Sequence, residues 1–130
     1  MSTTRRTLTV RIPAQIHYQI TPNASRRYPA AAKSRLRQEL KDTTIRACQG
    51  EGWHLGHDLT PPLVLDYSVA RGKGRQPMDD DNLTSALKHA RDGVAHVLGI
   101  DDKQMTTGKL TQIRDPDAVG YIEVTIREVE

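Results

Sequence analysis

Residues 63–70, LVLDYSVA, and residues 82–98, NLTSALKHARDGVAHVL, carry the reading of the fold. In the first stretch Val64, Asp66 and Ser68 alternate with Leu65, Tyr67 and Val69, the period of a half-buried strand. In the second, steps of about 100° per residue gather Leu83, Ala86, Leu87, Ala90, Val94, Val97 and Leu98 on one helical face. Gly99 follows at the position after the last turn, where a left-handed residue costs little. The opposite face reads Asp81, Ser85, Lys88, Asp92, each three or four residues from the next.

Working outward, Leu8, Val10 and Ile12 alternate with polar residues up to Pro13, which predicts a strand over 7–12. Residues 13–27 read as a loop. A helix is predicted between Pro29 and the stop at Gly50 and Gly52, with Leu36, Leu40, Thr43 or Thr44, and Ala47 toward the core. On that helix Lys33, Arg37 and Lys41, spaced by four, predict a basic ridge along the solvent side. Residues 49–62 form a long Gly- and Pro-containing connection, and Arg71-Gly-Lys-Gly-Arg75 a flexible cationic loop. Strands are predicted over 110–113 and 120–128, with Asp115-Pro116-Asp117 turning between them. The expected architecture is a small α+β single domain over 1–130, a mixed sheet of about four strands with two main helices.

Composition narrows the function. The chain has 130 residues, 36% hydrophobic and 27% charged. No apolar run approaches the ~20 residues that cross a bilayer, so no membrane role is expected. The single cysteine, Cys48, excludes an internal disulfide and fits a reducing, cytoplasmic setting, and no signal peptide is expected from the first residues. Charge is segregated: residues 1–41 hold nine Arg or Lys against Glu39, a net of +8. Residues 79–102 hold six Asp against Lys88 and Arg91, a net of −4. This asymmetry points to a polyanionic partner beside a cation-binding site.

The acids carry the chemistry. Adjacent carboxylates repel, and a helix N-terminus relieves one or two of Asp79, Asp80 and Asp81 by capping and by its dipole. Asp101 and Asp102 stand past the helix C-terminus, where the dipole disfavours them. A hard divalent cation accounts for both groups, since Mg²⁺ takes carboxylates, waters and substrate phosphate as oxygen ligands. An EF-hand is excluded because Thr84 and Ala90 stand where that loop needs Gly and Glu. His54, His57 and Asp58 near Cys48 match no zinc spacing, and Trp53 and Tyr28 read as packing residues under a loop.

The pattern Asp79-x-Asp81-Asn82, Lys88, Asp92-Gly93, Gly99 and Asp101-Asp102-x-Gln104, with the basic loop 71–75 ahead of it, resembles the RusA family of Holliday-junction resolvases, especially its phage and prophage members. The family prototype's lysine falls at Ser85 here, whereas Lys88 stands seven residues after Asp81, as in the phage-type variants. The resemblance implies a Mg²⁺-dependent endodeoxyribonuclease, Mn²⁺ being a plausible substitute, that cuts branched DNA in recombination and repair and leaves 5′-phosphate ends. It implies Asp79, Asp81, Lys88 and Asp102 as catalytic residues, with Asp79, Asp81, Asp101 and Asp102 as metal ligands. Asn82 and Asp92 would support them, Asp92 by an ion pair to Lys88. A homodimer is implied as well. Arg26, Arg27, Lys33, Arg37, Lys73 and Arg75 are the candidate phosphate contacts. A non-cleaving branched-DNA binding protein on the same scaffold is the alternative, and a metal-dependent RNase a third reading.

Overall fold

The computed structural model describes residues 6–14, 29–54, 59–71, 80–114 and 120–129. The elements run β1 (Thr7–Ile12), α1 (Ala30–Gly50), β2 (Leu63–Arg71), α2 (Asp80–Leu98), a three-residue 3-10 turn (Asp102–Gln104), β3 (Met105–Arg114) and β4 (Tyr121–Glu128). The four strands form one sheet in the order β1-β4-β2-β3. β4 is antiparallel to both β1 and β2, while β2 and β3 are parallel, joined by α2 as a crossover helix. This is the small α+β domain with a mixed sheet and two helices that the sequence predicts.

One face of the sheet is covered. Val10, Ile12, Leu65, Tyr67, Val69, Ile122, Val124 and Ile126 are buried and join α1 and α2 residues in a single cluster. All seven apolar residues of the α2 stripe are buried in it. The other face is polar and partly open. Thr9 and Thr125 hydroxyls meet at 3.2 Å, Arg11 Nη2 donates to Glu123 Oε2 at 3.3 Å and stacks 4.0 Å over Tyr121, and Arg127 Nε donates to Asp66 Oδ2 at 2.9 Å. Burial works to raise the Asp66 carboxyl, but hydrogen bonds from Arg127 and the Lys109 N–H, with their charges, leave it below its ordinary value.

β3 begins at Met105, five residues before the predicted strand. Its register to β2 shifts between Leu65 and Tyr67, where Gly108 lies against Asp66. A Cβ at Gly108 would come 2.1 Å from Asp66 Oδ1, so the bulge needs glycine there. Gly99 closes α2 with φ +67°, as its position after the helix predicts. No helix among the described residues is long and apolar enough to cross a membrane. Cys48 is a buried core residue, and burial pushes its thiol up to about 12.

The predicted solvent ridge on α1 is corrected. Leu40, Thr44 and Cys48 are buried, and Lys33, Arg37 and Lys41 are half-buried along the flank beside them. The buried face centres on Leu40, Thr44 and Cys48, with Leu36 and Ala47 only partly buried, which turns the basic residues toward α2. Arg37 Nε is buried without a hydrogen bond among the described residues. Burial first, then the charges of Arg37 and Lys88, hold His89 below its usual value, with Asp92 opposing them.

The two helices touch at Gly93. A Cβ there would lie 2.9 Å from the Lys41 carbonyl oxygen and 2.9 Å from Thr44 Cβ and Cγ2. Gly93→Ala gains ~1 kcal/mol of helix propensity but overpacks against backbone, at a cost of about 1–3 kcal/mol. A lower urea midpoint with an unchanged slope is expected; a higher midpoint would refute close packing of α1 on α2 at this point.

Candidate functional site

The candidate site is a groove of about 300 Å³ along α2 where it crosses β2 and β3. Tyr67 and Leu87 supply apolar surface, and Thr84, Ser85, Lys88, Arg91, Asp102 and Thr107 supply polar groups. The size is at the low end of ligand pockets, ~300–1,000 Å³. Helical spacing explains one wall, because Thr84, Ser85, Lys88 and Arg91 succeed one another by single turns or adjacent positions. Asp102 forms part of the other wall because the chain reverses at Gly99 and returns beside Arg91.

Arg91 makes that return specific. Its Nη2 donates to the Asp102 carbonyl at 2.9 Å and to the Met105 carbonyl, and its Nη1 donates to Thr107 Oγ1 at 3.3 Å. Its Nε lies 2.7 Å from Asp102 Oδ1, a charge contact in which the N–H is not aimed at the oxygen. The Arg91 side chain is 19% exposed and that of Asp102 67%. Burial pushes the Tyr67 phenol up, the Arg91 charge working against it and those of Asp102 and Asp92 with it.

The groove brings together Lys88 and Asp102, two of the four residues that the resemblance makes catalytic. Asp81, in the first turn of α2, is exposed and stands one turn before Ser85, beyond the groove lining. Asn82 is buried at the same turn. The expected Lys88–Asp92 ion pair does not form among the described residues; Lys88 lines the groove, while Asp92 is half-buried. Asp79, Arg26, Arg27, Lys73 and Arg75 lie outside the described residues, as do the turn 115–117 and most of the loop 71–75.

Asp101 and Asp102 have local explanations that the dipole argument missed. Asp101 caps the 3-10 turn: its Oδ1 accepts the Lys103 N–H at 3.0 Å, and Gln104 Oε1 accepts the Asp101 N–H at 3.0 Å. Asp102 is offset by Arg91. Acids past one helix here open the next turn.

All four proposed metal donors are carboxylates, the right chemistry for a hard cation. Among the described residues, however, no three of His, Cys, Asp or Glu come together as a ligand set. Asp81, Asp101 and Asp102 do not by themselves form such a set. What the groove offers directly is cationic and hydroxyl donors beside an accessible carboxylate. Sequence reasoning missed Arg91, Thr84, Thr107 and Tyr67. Only the helical spacing of Thr84 and Arg91 to Lys88 could have pointed to the first and last turns of this wall.

No family model matches the chain, and no curated protein matches it.

Proposed function

We propose that the protein is a structure-specific endodeoxyribonuclease of RusA type, acting in the cytoplasm as a homodimer on branched DNA. The observation that supports this reading is the return of Asp102 to the groove lined by Ser85 and Lys88, downstream of Asp81 on α2. In this role Lys88 neutralises charge developing on the phosphoryl oxygens during cleavage. Thr84, Ser85 and Thr107 hydroxyls orient the phosphodiester, and Tyr67 with Leu87 keeps the inner end of the groove apolar. Asp79, Asp81, Asp101 and Asp102 would hold Mg²⁺, or Mn²⁺ in its place, which would supply Lewis acidity at the phosphate. Lys33 and Arg37, on the flank of α1 that faces α2, join Arg26, Arg27, Lys73 and Arg75 as proposed backbone contacts, so affinity falls steeply with salt and reads little sequence.

The engagement of Asp101 as a cap and Asp102 with Arg91 favours the second reading, a branched-DNA binding protein that does not cut. Labelled four-way junction and linear duplex incubated with the protein, in Mg²⁺ and in EDTA, separate the two. Junction strands nicked only with metal, leaving 5′-phosphate ends, are expected. Junction binding with no metal-dependent product would establish the non-cleaving protein, and preferential cutting of RNA would replace DNA as substrate.

A further inference from the structure

We propose that Arg91 is a positioning residue for the proposed cleavage reaction, fixing Asp102 on the groove beside Lys88. This rests on the nuclease reading and adds to it a residue that the sequence motif does not contain.

The segment that carries Asp102 is poorly held by packing. The 3-10 turn Asp102–Gln104 has no buried residue, so hydrophobic contact does not fix it. Asp101 and Gln104 cap the turn internally, which shapes it but does not attach it to the rest of the fold. Attachment comes from Arg91. Three of its hydrogen bonds reach Asp102, Met105 and Thr107, at and after the turn, and its Nε adds the 2.7 Å charge contact to the Asp102 carboxylate. Because Arg91 is one turn from Lys88 on α2, these contacts set the acid against the lysine on a rigid element. A planar guanidinium is suited to this, since its forked donors span carbonyls and carboxylate together, whereas a lysine ammonium at the same place cannot span them all. Most of the Asp102 side chain stays exposed, so the clamp holds the carboxylate without covering it.

Misplacing a reacting group by ~1 Å costs about 10²-fold in rate. Arg91→Gln is therefore expected to lower kcat on four-way junction by about 10–100-fold. KM, and junction affinity in EDTA, should stay within about threefold, because the variant leaves Lys88 and the α1 cations in place. Amide hydrogen exchange should speed up over residues 102–107 and remain as in the wild type over α1 and β4. Arg91→Lys, which keeps the charge, should recover part of both losses; it also carries the test if Arg91→Gln does not fold.

Loosened exchange with an unchanged kcat would make Arg91 a structural tether only and overturn the proposal. Unchanged exchange over 102–107 would overturn it too, since Arg91 would then not be holding the turn. Wild-type protein that binds but never cuts branched DNA sinks the nuclease reading first, whatever the exchange pattern, so the two failures are told apart.

Discussion

Lys88→Met is expected to cut the single-turnover cleavage of a four-way junction by about 10²–10³-fold, the loss typical of removing one donor to a developing oxyanion. The lysine is exposed on α2 and lines the groove with Ser85 and Asp102. With no ion pair among the described residues, its removal should change folding stability by no more than ~0.5 kcal/mol. Binding in EDTA should weaken modestly, and the slope of log affinity against log salt should fall by about 1, the signature of one phosphate contact. Lys88→Arg keeps the charge but changes its shape, so it should restore binding more fully than rate. A Lys88→Met rate within a few-fold of wild type would remove the lysine from the reaction and leave the groove as a binding surface. Equal loss of rate and of thermal stability would instead mean that the substitution damages the fold.

How far the site was legible in the sequence depended on whether its residues leave a periodic trace. Lys88 did, because a lone cation at helical spacing from Asp81 and Ser85 stands out against the buried stripe of α2. Arg91 did not. Its partners include the backbone carbonyls of Asp102 and Met105, which have no sequence signature. The second acid pair was visible, but its local role was not: Asp101 caps a three-residue turn too short to produce a period.

The fold shows the same division. Alternation located β1 at 7–12 and β2 nearly to the residue, and the 3.6-residue period located α2, whose start at Asp80 lies two residues before the predicted one. The first half of β3 gave no such trace. Of Met105 to Lys109 only Met105 is buried, because β3 is an edge strand and Gly108 sits at a bulge against Asp66. On α1, Thr43 and Thr44 were equally acceptable core positions by residue type. Choosing between them turns the helix by about 100°, which is why Lys33, Arg37 and Lys41 moved from the expected solvent side to the flank near α2. Strand order was not encoded locally at all: β4 inserts between β1 and β2 through pairings more than fifty residues apart, such as Val10 with Val124 and Tyr67 with Val124.

Ile126→Ala should cost about 2–5 kcal/mol, a large part of the ~5–15 kcal/mol available to a domain. Ile126 is fully buried in the central strand β4, in register with Leu8 on β1 and Leu65 on β2. Truncation leaves a cavity that these flanking strands, already hydrogen-bonded on either side, cannot close. The adjacent Thr125 gives the contrast. It points to the other face, where its hydroxyl meets Thr9 at 3.2 Å in an exposed pair. Losing that contact is worth about 0.2–1 kcal/mol. Urea unfolding of Ile126→Ala and Thr125→Ala thus measures how one-sided the sheet is in solution, with similar slopes and widely separated midpoints as the expected result. Comparable losses at the two positions would mean that the polar face is covered as well, by a second copy or by chain outside the described residues. The two-layer arrangement that leaves the sheet open on one side would then have to be abandoned.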